Sequence, residues 1–132
     1  MKALIVTILL LVSPLILDSA QLPKKVFVIV SGAGEDRAGV SLLFHFKEAI
    51  ARSSRYTLDA PPFQSGSRYI VVSFVSVATD SSQMTSAVSL FAQKSNGDCL
   101  VTVYHAVYFV GIYKTDEIAQ GALASIDAEF SK

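Results

Sequence analysis

The middle of this chain carries two long strand-like runs separated by one sharp turn signal. The first run reads TSAVSLFAQK, and the second, CLVTVYHAVYFVG, is rich in the β-branched and aromatic residues that strands favour. The four residues between them, Ser95 to Asp98, read SNGD, and Asn-Gly in this setting is the strongest short-range hairpin signal. The sequence therefore predicts a long antiparallel strand pair over residues 85–111.

Three further strands are predicted before this hairpin. Val26–Val30 is a continuous apolar run, which is typical of a strand buried on both faces. The segment RYTLDA, residues 55–60, is a short strand candidate, and Arg68–Ala78 is a long one. Between these two, Leu58–Arg68 reads LDAPPFQSGSR, where the prolines and glycine favour a loop.

Two helices are predicted from apolar positions that repeat with helical spacing. The first helix spans the region from Arg37 to Arg52, and Thr115 is expected to cap the second, whose first turn contains Asp116 and Glu117. Gly121 lies in the middle of the second helix and weakens it. The residues expected to face the core are Leu42, Leu43, Phe46, Ala49 and Ile50 in the first helix, and Ala119, Ala122, Leu123, Ile126 and Phe130 in the second.

The order of these elements predicts an α+β fold. Five strands and two helices form a two-layer sandwich, with both helices on one face of a mixed sheet. In this interpretation only the first strand–helix–strand crossover needs to be parallel, and it is expected to be right-handed. The later strands form a meander.

The N-terminus has the layout of a secretory signal peptide. Lys2 supplies a positive charge, Ala3–Leu17 is free of charge and apolar, and Ala20 ends a short polar segment. The fifteen apolar residues, interrupted by Pro14, fall short of the roughly 20 that span a bilayer. We expect a cleaved leader over residues 1–20, a single domain over residues 21–132, and a periplasmic or secreted product without stable membrane insertion; an uncleaved anchor is the alternative.

The charge balance argues against a nucleic-acid partner. The chain has 11 basic and 11 acidic residues, so loss of Lys2 and Asp18 with the leader leaves ten of each and no net charge. No basic cluster that would neutralise phosphates is visible. Cys99 is the only cysteine, so the fold depends on packing rather than disulfides, and the thiol is expected to be buried, with an intermolecular bond as the alternative.

The glycine-rich segment after the first strand is the first candidate for chemistry. Gly34–Ser41 has the spacing of a phosphate-binding P-loop, but Val40 occupies the place of the required lysine and Asp36 adds a negative charge. The dinucleotide-binding pattern fails too, because Arg37 stands where its third glycine belongs. The sequence favours a structural role, in which the glycines permit a tight exit from the strand and Asp36 caps the helix.

The histidines and the cysteine do not form a convincing catalytic or metal-binding set. His45 flanks the apolar stripe of the first helix, and His105 lies on the last strand, where a half-buried structural histidine is expected. A zinc site needs three or four ligands, which two distant histidines and Cys99 do not supply. We therefore expect no metal, no cofactor and no catalytic residue, while a small secreted hydrolase using His105 with an unidentified serine or carboxylate is the alternative.

A resemblance to a known group of domains adds to this interpretation. The helix end and short strand AIARSSRYTL, Ala49–Leu58, followed by a strand meander and a closing helix, resemble the small N-terminal domain of TolB and the CsgG-like periplasmic domains. The likeness covers the order of elements over most of residues 21–132, although a proline loop stands where those folds usually have a second helix. It implies a non-catalytic envelope assembly or accessory role in a bacterium and transfers no functional residue.

The sheet face that the helices leave bare is the remaining candidate for function. Apolar and tyrosine side chains on such a face suit a docking surface for a protein partner or a second copy of the chain. The chain is thus predicted to be a small exported binding or assembly module, from which a secreted effector cannot be distinguished by sequence. The expected surface residues are Tyr69, Val71, Val75, Val77, Tyr104 and Tyr108.

Overall fold

The computed structural model describes residues 26–58, 68–96 and 99–132. The predicted leader, most of the predicted proline loop and the two residues after Asn96 therefore lie outside the described residues. A short 3-10 helix, Ile112–Lys114, directly precedes the second helix. The strands and α-helices are β1 (Val26–Ala33), α1 (Arg37–Arg52), β2 (Tyr56–Leu58), β3 (Tyr69–Ala78), β4 (Thr85–Asn96), β5 (Cys99–Gly111) and α2 (Thr115–Phe130).

The strands form one mixed sheet in the order β2-β1-β3-β4-β5, which confirms the predicted α+β fold. The hairpin is confirmed too, because β4 and β5 pair antiparallel from Asn96 opposite Cys99 to Thr85 opposite Gly111. One detail of the topology was wrong. β1 is parallel to both β2 and β3, so a second parallel pair exists and the meander is confined to β3, β4 and β5.

Both helices pack on the same face of the sheet, and the core lies between these two layers. The α1 stripe is confirmed, since Leu42, Phe46 and Ile50 are fully buried. Phe46 meets Phe74 of β3 edge to face, with ring centroids 5.0 Å apart. The α2 residues of the core are Ala119, Ala122, Ile126 and Phe130.

The start of α2 differs from the prediction. Thr115 is the first residue of the helix rather than its cap, and its hydroxyl donates to the carbonyl of Ile112 and contacts the Ser41 hydroxyl of α1 at 2.9 Å. Thr115 is buried, and its hydroxyl, which contacts Ser41, links α2 to α1. Gly111 and the 3-10 turn between β5 and α2 bring the hydroxyl to this position.

Gly121 gives a direct test of the α2 surface. It is exposed, and a Cβ atom added there would meet nothing within 4 Å. Gly121→Ala is expected to raise the free energy of unfolding by about 1 kcal/mol, because alanine loses less backbone entropy in a helix. Urea denaturation followed by circular dichroism measures the change, and an unchanged or lower midpoint would contradict this description of α2.

Candidate interaction surface

The face of the sheet opposite the helices is built by every second residue of β3 and β4 and by the residues of β5 that pair with them. The register places these residues in cross-strand rows, such as Val77, Ala87 and Phe109 in one row and Val75, Ser89 and Val107 in the next. The intervening residues of β3 and β4 point into the core. We call the outward side of β1, β3, β4 and β5 the open face.

The open face exposes large apolar side chains next to one another. Phe109 is 80% exposed, Val77 65% and Val107 58%, and Val75 and Phe91 are exposed as well. Because these residues lie in adjacent rows of three neighbouring strands, they form one contiguous patch rather than scattered single residues. A contiguous apolar patch of this kind marks a contact site more often than a passive surface.

The structure brings only part of the predicted surface together. Tyr69, Val71 and Val75 lie on the open face, with Tyr69 and Val71 half-buried. Tyr104 and Tyr108 do not, because they pair with Ala92 and Val88, which are buried beneath the helices. The prediction that these two tyrosines share the bare face is therefore wrong.

Tyr104 and Tyr108 face the helix side because they lie at the edge of the core, where a tyrosine can bury its ring. The rings of Tyr104 and Tyr108 pack against the core, and their hydroxyls form a 2.6 Å hydrogen bond with each other. Burial and this bond raise the pKa of Tyr108. A tyrosine is suited to such an edge, because its ring is apolar and its tip is polar. Val107 and Phe109 of β5 lie on the open face instead, so the more apolar residues of this part of β5 are exposed and its tyrosines face the core.

β5 is an edge strand without charged residues. It spans 13 residues, from Cys99 to Gly111, and pairs only with β4 among the described strands. Its ladder contains one irregularity, where Ala92 pairs with Tyr104 and Gln93 with Thr102, so that Val103 is the extra residue. A long apolar edge without lysine, aspartate or proline is open to pairing with another strand.

His105 lies on the open face and is exposed, so the prediction of a half-buried histidine is wrong. Its ring stacks on Phe91 with a centroid distance of 4.2 Å and an interplanar angle of 5°. Its Nε2 atom is 3.4 Å from the hydroxyl of Ser89 on the neighbouring strand. Neither contact involves a carboxylate, and both lie on the surface of a sheet rather than in a cleft.

The other residues considered for catalysis or metal binding also lie apart from one another. His45 lies on α1, in the helix layer, where its Nδ1 atom contacts a carboxylate oxygen of Glu48 at 3.3 Å. Cys99 is exposed at the start of β5, so the prediction that it is buried is wrong. Within residues 26–58, 68–96 and 99–132, no three histidine, cysteine or acidic side chains are grouped as a metal site would require.

The glycine-rich segment has the structural role that the sequence favours. Asp36 is the N-cap of α1, and its Oδ1 accepts a 2.6 Å hydrogen bond from the backbone N–H of Gly39. The hydroxyls of Ser76 and Ser86 also donate to this carboxylate, which is buried. A Cβ atom at Gly34 or Gly39 would overlap the Ser76 hydroxyl, so the glycines are needed to admit that contact.

A groove of about 620 Å³ lies between the end of α1 and the middle of α2. Its charged groups are already paired: Arg55 donates to Asp127 at 2.6 Å, and the Tyr56 hydroxyl donates to the same carboxylate at 2.5 Å. Burial, with the adjacent Asp127 carboxylate, raises the pKa of Tyr56. The hydrogen bonds from Arg55 and Tyr56 to Asp127 therefore connect β2 and the residue before it to α2, and these polar groups have partners within the fold.

Across the described ranges, neither helix has the length and apolar character that a bilayer crossing would require.

Comparison with known proteins finds no matching protein family and no similar curated protein. Among solved structures, the chain is similar to a PelC dodecamer from Paraburkholderia phytofirmans that carries a single leucine-to-methionine substitution. The two share 14% identity over 79% of this chain and 86% of that one, with a TM-score of 0.48. The predicted resemblance to the TolB and CsgG-like domains stays a prediction.

Proposed function

We propose that this chain is a small exported, non-catalytic assembly module that associates with a second copy of itself through the open face. The observation that carries the proposal is the contiguous patch formed by Val75, Val77, Phe91, Val107 and Phe109. Burying this patch against another molecule would remove it from water, which stabilises association by roughly 25 cal/mol for each Å² of apolar surface buried.

The size of the open face fits a stable interface. Four strands at a spacing of about 4.8 Å, each rising roughly 3.3 Å per residue over about ten residues, give a face of about 600 Å² in plane. Projecting side chains make the accessible area larger than this planar value. The face therefore approaches the roughly 800 Å² that each partner contributes to a standard protein–protein interface.

A second copy is the partner that the charge pattern favours. In a two-fold interface the same patch of the two copies meets, so a patch with charges of one sign would repel itself. The open face of β3, β4 and β5 carries no lysine, arginine, aspartate or glutamate among the described residues. It is therefore compatible with itself, whereas recognition of a charged partner would use complementary charges.

Export is part of the proposal and is supported by the leader pattern over residues 1–20. The working unit is then residues 21–132, in the periplasm or outside the cell. Its partner is another such unit, and no cofactor takes part.

Paired substitutions on the two layers test the proposal. Val75→Asp with Val107→Asp places two charges in one row of the open face, at positions 48% and 58% exposed. The matched control is Val40→Asp with Phe44→Asp on α1, at positions 52% and 59% exposed. We expect the open-face pair to weaken self-association at least tenfold in sedimentation velocity, since each charge would have to be desolvated, and the α1 pair to change it less than twofold.

The proposal would be contradicted if both pairs of substitutions weakened self-association equally, or if the open-face pair had no effect. Circular dichroism and thermal melting of all variants establish that each remains folded. The four positions are exposed in the single chain, so their replacement removes no core contact.

A secreted hydrolase is the second candidate, because Ser89 and His105 are adjacent on the open face. A serine nucleophile needs a base within hydrogen-bond reach and a third group that orients that base. The Ser89–His105 contact of 3.4 Å supplies the first element. A screen with activated esters distinguishes the candidates: loss of turnover in both Ser89→Ala and His105→Ala, with melting temperatures unchanged, would establish the hydrolase, and absence of turnover in the parent protein would exclude it for these substrates.

A further inference from the structure

We infer that a cleft at one end of the sheet binds a phosphoryl oxyanion. The cleft has a volume of about 270 Å³ and is lined by Arg68, Lys94, Ser95, Asn96 and Phe130. It lies at the end of the sheet, where Lys94 pairs with the buried Ile70 on the helix side, and none of the exposed apolar residues of the open-face patch lines it. The inference therefore stands apart from the proposed self-association.

The first argument is the pairing of charges. Four of the described basic side chains have a carboxylate partner within 4.0 Å: Arg52, Arg55, Lys114 and Lys132. Arg68 and Lys94 have none among the described residues, yet they line the same cleft. No acidic side chain of the described residues lines that cleft. Two like charges that line one cleft repel each other, and a bound anion would reduce this cost.

The second argument is how Arg68 is held. Its guanidinium carbon lies 5.1 Å from the centroid of the Phe130 ring, which is buried at the end of α2. Arg55 approaches the same ring at 5.7 Å but is occupied by Asp127. Stacking on an aromatic ring orients a guanidinium while leaving its in-plane N–H groups free, and this fork matches the oxygens of a phosphate.

The third argument is the set of donors around the cleft. The Ser95 hydroxyl oxygen accepts a 3.3 Å hydrogen bond from the backbone N–H of Tyr69, so its own proton remains available to donate. The amide of Asn96 and the ammonium of Lys94 supply further donors from a different strand position. A guanidinium and an ammonium together with hydroxyl and amide donors supply the charge-assisted hydrogen bonds by which proteins bind the oxygens of a phosphoryl group.

Inorganic phosphate is the probe for this site. We expect titration at constant ionic strength to give saturable NMR shifts of the Lys94, Ser95 and Asn96 amides. Arg68→Gln with Lys94→Gln is expected to weaken phosphate binding at least tenfold. The matched control, Arg37→Gln with Lys47→Gln, removes the same charge from exposed positions on α1 that have no carboxylate partner among the described residues and is expected to change binding less than twofold.

Shifts that do not saturate, or equal binding by the two double variants, would overturn the site. Lys94→Gln alone serves as a second variant, because Lys94 is partly exposed and its loss should spare the Arg68–Phe130 contact. Vesicles of phosphatidylglycerol and of phosphatidylcholine identify the source of the phosphoryl group. Capture by the anionic vesicles alone, lost in the Arg68 and Lys94 variant, assigns a lipid headgroup; phosphate binding without vesicle capture assigns a soluble phosphate.

Discussion

Replacing Asp36 with alanine is expected to lower the free energy of unfolding by about 3 kcal/mol. The Asp36 carboxylate accepts hydrogen bonds from the N–H of Gly39 and from the hydroxyls of Ser76 and Ser86. It therefore joins the start of α1 to β3 and β4. Loss of a helix cap alone costs about 1 kcal/mol, and the buried hydroxyl of Ser86 and the half-buried hydroxyl of Ser76, left without an acceptor, add to this cost.

Urea denaturation of the Asp36→Ala variant measures this loss. Asp36→Asn is the matched comparison, because it keeps the size of the side chain and one oxygen acceptor, and we expect a smaller loss. A decrease below about 1 kcal/mol for the alanine variant would mean that Asp36 acts only as an ordinary cap. The buried cluster would then contribute nothing beyond the helix start.

The same carboxylate makes stability depend on pH. Burial raises the pKa of Asp36, but the hydrogen bonds from Ser76, Ser86 and Gly39 outweigh this effect and hold the pKa below its usual value. A folded-state pKa below the unfolded value of about 3.9 stabilises the fold above that pH, and the contribution is lost as pH falls through the folded pKa. Asp36→Ala is therefore expected to show a shallower loss of stability than the parent protein as the pH falls below about 4.

Gly39→Ala is expected to lower the free energy of unfolding by about 2 kcal/mol. The added Cβ would lie 2.5 Å from the Cβ of Ser76 and 2.8 Å from Oδ1 of Asp36, so the cluster has to move apart. This steric cost exceeds the gain in helix propensity that alanine brings. Gly121→Ala is the control, since it makes the same substitution in α2 with open space around it and should change stability in the opposite direction.

Thermal or urea unfolding of the two glycine variants gives the comparison directly. Effects of opposite sign cannot both follow from helix propensity alone, because the substitution is the same at the two positions. If Gly39→Ala were as stable as the parent protein, the close packing of β3 against the start of α1 would be wrong, and the glycines of this segment would need a different explanation.

Much of the fold follows from local sequence signals. Asn96-Gly97 between two strand-like runs predicts the β4–β5 hairpin, and the helical stripe around Phe46 predicts the buried face of α1. The role of Asp36 as a helix cap is equally local, because it depends on residues within one turn. These features require no knowledge of which strands are neighbours.

The features that were missed depend on pairing between distant residues. β1 pairs with β3 over seven residues and with β2 over three. No local sequence signal predicts that β1 and β3 are neighbours in the sheet. The inward positions of Tyr104 and Tyr108 follow from their register with β4 and from the extra residue at Val103. A period-two pattern of apolar residues on both faces of β5 leaves the choice of face undetermined, so Val107 and Phe109 were not identified as part of the exposed patch.

The extra residue at Val103, a β-bulge, also explains why a simple alternation along β5 predicts the wrong face for part of the strand. Val101 and Val107 would share a face in an unbroken strand, but the extra residue shifts the pattern between them by one position. Val107 consequently lies on the open face with His105 and Phe109, whereas Val101 pairs with Lys94 on the helix side. An irregularity in one strand thus decides which side chains form the candidate surface.

The molar mass of the protein in solution, measured by light scattering over a series of concentrations, tests self-association through the open face most directly. We predict a mass that rises from one chain at low concentration to at least two chains at high concentration, and a lower mass at each concentration when Val75 and Val107 are replaced by aspartate. A mass of one chain at every concentration, up to the limit of solubility, would contradict the assignment of the open face as a surface for a second copy.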